Sequence, residues 1–159
     1  MDKYLEYLQI AEKKIRTIDH IIYVTFPLIK DKRLLLKVLS EMNLIVIGII
    51  NAVLQYESFH KNIELTKSPS SNLNLFFQKC SLKYEINAEE IRIINHIFDI
   101  NQEYRKSTIE FMKNDKIVIL SEDLTHSIIT LEKIKQFLFV IKNILKKVQK
   151  IQMTATLKK

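Results

Sequence analysis

One glycine, two prolines and one cysteine are all that 159 residues contain of those three types, and tryptophan is missing altogether. Sheet proteins turn the chain often and use glycine and proline to do it, so this scarcity argues for long helices joined by few connections. The single cysteine, Cys80, excludes an internal disulfide and fits a reducing compartment. One glycine cannot build a glycine-rich phosphate cradle or a nucleophile elbow. His20, His60, His96 and His126 are scattered, and with Cys80 they make no spacing that zinc requires. The acids form no Glu and Glu-x-x-His set of the kind that di-iron bundles use. No metal, cofactor or small-molecule substrate is therefore expected. The opening residues MDKYLEYLQI carry acids and no uninterrupted apolar segment, so a signal or transit peptide is not expected and a cytoplasmic location is.

What the chain does have is one dense apolar run, MNLIVIGIINAVLQY at residues 42–56. A helix apolar all round has to be buried on all sides. A membrane span wants about 20 apolar residues; this run is shorter, contains Asn43 and Asn51, and follows Lys37 and Glu41. It reads as the core helix of a bundle, and a membrane is not an expected partner. Asp31 is placed to cap it and His60 to end it, a length of roughly 45 Å at 1.5 Å per residue. Gly48 and Ala52, one turn apart, make a small-residue notch where a second helix could cross closely.

Around that spine the pattern predicts a first helix over 3–24, capped by Asp2, with Leu5, Leu8, Ile15, Ile18 and Ile22 inward and Pro27 ending it. Residues 61–74 read as a mobile polar surface linker. A short helix over 73–84 should bury Leu75, Phe76 and Leu82, with Cys80 as a small core residue. Asn87 with Glu90 is a capping box that opens a helix over 88–105, burying Ile91, Ile94, Ile97, Phe98 and Tyr104. Ser107 with Glu110 repeats the signature and predicts a further helical turn through Phe111 and Met112. The β-branched runs 116–120 and 126–130 flank a polar turn and predict a hairpin. Thr130 then caps a last helix over 131–151, with Ile134, Phe137, Ile141, Ile144 and Val148 buried. The expected fold is mostly all-α: a single-domain bundle over 1–151 of four to five main helices, with one small β-hairpin at 116–130 before the last helix. A short basic tail, 152–159, follows.

The net charge is +7, and its position is informative. Residues 131–159 hold eight lysines and one acid, so residues 1–130 sum to zero. At 100° per residue, Lys135, Lys142, Lys146 and Lys150 fall on one stripe opposite the apolar face, with Lys147 beside it and Phe139 in its middle. Lysines so spaced can track a phosphate backbone, and an exposed aromatic among them can stack on an unpaired base. The function this favours is non-enzymatic binding of RNA or another acidic macromolecule through the last helix. The alternative is a protein-interaction or homo-oligomerisation module.

Two Arg-x-x-x-His segments, Arg16/His20 and Arg92/His96, each put a guanidinium and an imidazole on one helix face. Such a pair can act as acid or base on a phosphodiester while stabilising negative charge. In this and in bundle size the chain resembles the HEPN superfamily, which includes metal-independent ribonucleases and toxin–antitoxin components. The resemblance implies Arg16, His20, Arg92 and His96 as catalytic residues, although the family's motif spaces Arg and His more widely than either segment does. Separately, YVTFPLIKDKRLLL at 23–36 and KSTIEFMKNDKIVI at 106–119 resemble small uncharacterised helical proteins of archaea with reduced genomes. That likeness implies an archaeal cytoplasmic origin and no particular activity.

Overall fold

The computed structural model describes residues 2–113, 116–121 and 126–157. The fold is mostly all-α, with a small three-stranded antiparallel sheet inserted before the C-terminal helix. The central element is α3, Lys32–Phe59, 28 residues and about 42 Å long. Asp31 caps it as expected: its Oδ1 accepts the Arg33 N–H at 2.9 Å. By length and composition α3 could cross a membrane, and 56% of its most apolar window is buried among the other helices. Burial is not complete all round, because Leu44 and Ile47 remain 48% and 40% exposed on one side. Nor does the Gly48 notch receive a helix: a Cβ built there would meet nothing within 4 Å.

The first helix is longer than predicted, because Pro27 does not end it. Helix α1, Lys3–His20, runs into a π-helical turn at Ile21–Thr25 and then α2, Phe26–Ile29, whose first turn contains Pro27. A proline ring clashes with the carbonyl four residues back and lacks an N–H. The wider turn, in which the Phe26 N–H reaches the Ile21 carbonyl, lies immediately before that clash and accommodates it. Asp2 precedes α1, but its side chain caps no backbone N–H.

The polar linker is shorter than expected. Ser68 caps α4, Pro69–Leu75, and Asn72 ties the preceding loop by accepting from the Thr66 N–H and donating to the Thr66 carbonyl. A second π-helical turn, Phe76–Cys80, leads to α5, Ser81–Lys83. There the Ser81 N–H bonds the Phe76 carbonyl while the Ser81 hydroxyl donates to the Phe77 carbonyl at 2.6 Å. Phe76 and Cys80 are buried, but Leu82 is 83% exposed, against expectation.

Helix α6, Ala88–Lys106, opens with the predicted capping box: the Glu90 N–H donates to Asn87 Oδ1 and the Asn87 N–H to Glu90 Oε1. Its buried face is Ile93, Ile94, Ile97 and Ile100, while Ile91, Phe98 and Tyr104 pack at its edges. The predicted helical turn after it is instead strand β1, Ser107–Lys113, paired antiparallel with β2, Lys116–Ser121, which pairs with β3, His126–Thr130. The expected hairpin is thus β2–β3, extended by one strand; the turn at residues 122–125 lies outside the described residues. Ile117, Ile119 and Ile129 seat the sheet on the core. Thr130 accepts the Lys133 N–H and starts α7, Leu131–Leu157, six residues longer than predicted. The predicted apolar stripe of α7 is buried throughout, and Gln152, beyond its expected end, is fully buried as well.

Candidate functional site

Helix α7 lies between α1 on one flank and α6 on the other, and this placement sorts its lysines. On the α1 side, Lys142 Nζ donates to Asp19 Oδ1 at 2.6 Å, Lys135 Nζ stands 5.3 Å from the centre of the Tyr23 ring, and Gln149 reaches Glu12 at 3.5 Å. Lys135 also pairs loosely with Glu132 at 3.8 Å. On the α6 side, Lys147 Nζ donates to Glu90 Oε1 at 2.6 Å and to the Glu85 carbonyl at 2.8 Å. The helical wheel places these lysines correctly and misses their acids, which come from α1 and α6.

Three of the six predicted contact residues keep their freedom. Phe139 is 65% exposed, and Lys146 and Lys150 are exposed with no acidic partner among the described residues. They form the outermost ridge of α7. The Lys142–Asp19 pair is itself about 40% exposed on each side. Such a pair contributes at most about 1 kcal/mol and can exchange its carboxylate for a phosphate.

The two Arg/His segments do not come together. On α1, Arg16 pairs with Glu12 at 3.4 Å, and His20 Nδ1 lies 3.4 Å from the Thr25 hydroxyl. On α6, Arg92 pairs with Glu89, and His96 meets the buried Phe137 ring edge-on at 5.3 Å. Desolvation, then the Lys133 charge, holds the His96 imidazole below its ordinary pKa. The segments sit on the two helices that flank α7, and among the described residues no hydrogen bond joins either histidine to an arginine or to the other. No group of His, Cys, Asp and Glu among the described residues could hold a metal ion.

Sequence reasoning missed a buried polar cluster at the end of α3. Glu57, 3% exposed at its side chain, accepts hydrogen bonds from Lys83 at 2.8 Å, Asn62 at 2.7 Å and Tyr84 at 2.9 Å. The Tyr84 hydroxyl in turn accepts from Gln152 Nε2 at 3.2 Å, which joins α7 to the cluster. Burial alone would raise the Glu57 carboxyl; the three hydrogen bonds and the Lys83 charge outweigh it and hold the pKa low. Burial, followed by the Glu57 charge, pushes the Cys80 thiol up to about 11, so it is an unreactive core group. The signal was present: Glu57 follows Val53 by one turn on the buried face of α3.

No protein-family model, curated protein or solved structure matches this chain.

Proposed function

We propose that the protein is a non-enzymatic, cytoplasmic RNA-binding protein that uses the outer ridge of α7. The observation that supports this is Phe139, left 65% exposed while its neighbour Phe137 is fully buried, on the same ridge as Lys146 and Lys150, which have no acidic partner among the described residues. An exposed ring offers a face to an unpaired base, and the lysines two and three turns along offer charge to the strand that follows it. The net charge of +7, all of it assigned to residues 131–159, adds long-range attraction.

A fluorescein-labelled oligouridine titrated at several salt concentrations tests this. The double variant K146E/K150E should bind more weakly and lower the slope of log affinity against log salt by about 1.4, roughly 0.7 for each lost single-strand phosphate contact. Phe139→Ala should weaken binding at least about fivefold, the low end of a lost stacking contact. Unchanged affinity in both variants overturns the proposal. Metal-independent cleavage of the oligonucleotide, abolished by His20→Ala and His96→Ala, would replace it with HEPN-like ribonuclease chemistry.

A second reading rests on the knuckle between α2 and α3, where Leu28 and Ile29 are 82% and 62% exposed beside the exposed Tyr23 and Val24. Adjoining apolar side chains in solvent mark a protein contact. This reading expects a dimer in sedimentation that persists at high salt and dissociates in L28K/I29K; a monomer at high micromolar concentration removes it.

A further inference from the structure

The central strand of the small sheet is apolar on both of its faces. Along β2 the run Ile117, Val118, Ile119 and Leu120 is continuous. Such a run is the pattern of a strand covered on both sides, whereas a strand with one wet face alternates. The fold covers one side. Ile117, Ile119 and Ile129 are buried against the core, and on the same face the Ser127 hydroxyl donates to Glu103 of α6.

The opposite face is left open. The strand register puts Phe111, Val118 and Ile128 in one row across all three strands. Phe111 is 44% and Ile128 55% exposed, and Val118 and Leu120 on the same face are half-buried. One row further along, Lys113 of β1 and Lys116 of β2 stand directly opposite each other on this open face. Like charges so placed destabilise a sheet, and neither lysine has an acidic partner among the described residues. The apolar row lacks a cover and the lysine pair lacks an anion.

We propose that this open face docks an acidic amphipathic helix of a partner protein, its apolar stripe laid on Phe111, Val118 and Ile128 and a carboxylate set between Lys113 and Lys116. A helix is the ordinary cover for one face of a sheet, and its diameter of about 10 Å matches the roughly 10 Å between the outer strands. The six residues of β2 extend about 20 Å, the length of about 13 helical residues. A face of that size is far below the ~800 Å² that each partner buries in a stable dimer, so it suits one helix bound reversibly better than a second copy. Charge points the same way. Stacking two such faces brings Lys113 and Lys116 of both copies into one contact, and no acid lies on the face to receive them. The face shares no residue with the α7 ridge, so helix docking and RNA binding stand or fall separately.

A display library of helical peptides, each about 18 residues so that the helix is stable alone, panned on the intact protein tests the face. Enriched sequences should carry apolar residues at helical spacing with Asp or Glu beside them. Binding should shift the methyl NMR signals of Val118 and Ile128 in the wild type and leave the Phe139 ring signals in place. Phe111→Thr and Ile128→Thr should each weaken binding at least about fivefold, the loss expected of a residue central to an interface; threonine keeps strand propensity, so the circular dichroism should not change. K113E/K116E should weaken acidic helices, more at low salt than at high, and should select basic ones when panned itself. No enriched helix, or enriched helices that leave the Val118 and Ile128 methyls unmoved, overturns the proposal. A dimer in sedimentation that Ile128→Thr dissociates overturns it in favour of a second copy. Shifts of the same methyls by phosphatidylserine vesicles, with no helix enriched, overturn it in favour of a membrane surface.

Discussion

Helix α3 buries polar side chains at two places and treats them oppositely. Near its end, Glu57 is enclosed by three donors from the loop after α3 and from α5 and the turn beyond it, and every one of those contacts is between 2.7 and 2.9 Å. Near its middle, Asn43 lines an open groove, and its carboxamide makes no hydrogen bond among the described residues and is left to water. The Glu57 carboxylate loses its water and regains the energy from the fold, whereas the Asn43 carboxamide keeps its water. A paired buried group holds elements together; one that water still reaches does not. The contrast therefore separates the end of α3 that ties the fold together from the stretch that borders an open groove.

The strongest way to break that contrast is Glu57→Ala. It removes the acceptor shared by Lys83, Asn62 and Tyr84 and leaves the Tyr84 hydroxyl buried, so a loss of about 3 kcal/mol is expected in urea unfolding. Asn43→Leu should lose nothing, and equal losses at both sites would erase the distinction. Acid offers a gentler version. The Glu57 carboxyl is held below its unfolded pKa of about 4.3, so its contribution is complete above that pH and is lost as pH falls through the native value. Unfolding midpoints should decline on acidification more steeply in the wild type than in Glu57→Gln.

What could be read in the sequence was local. The caps at Asp31, at Asn87 with Glu90, and at Thr130 each act within three residues, and all three form as expected. Helical periodicity likewise found the buried stripe of α7. Two local signals, Asp2 as a cap and Pro27 as a stop, also failed, but the larger misses came from partners far along the chain. Ser107 and Glu110 match a helix start, yet Glu110 and Phe111 pair with Ile119 and Val118, and cross-strand pairing overrides the local signal. The lysine stripe was legible, but the acids that neutralise Lys142 and Lys147 lie 123 and 57 positions away. Likewise Asn43 looked like an interruption of an apolar run, because nothing in its neighbours shows that α3 would border an open groove there, with Asn101 of α6 on the other wall.

The same contrast recurs in the backbone, where the single glycine sits in one place and the need for glycine in others. Gly48 is in mid-helix, with space for a Cβ and no positive φ, so Gly48→Ala should stabilise by about 1 kcal/mol, chiefly by restricting the unfolded chain. Lys61, by contrast, has φ 62° just past the end of α3, where the Asn62 N–H closes back on the Glu57 carbonyl at 2.9 Å. That left-handed position is where glycine ordinarily ends a helix. Lys61→Gly relieves the Cβ strain but adds unfolded-state freedom, so the net gain should be smaller, about 0.5 kcal/mol. The two effects act 13 residues apart on independent causes and should add in the double variant, read as a shift in melting temperature. If Gly48→Ala destabilises instead, α3 requires a bare backbone at that position, and the wall beside the groove is closer-packed than its open side implies.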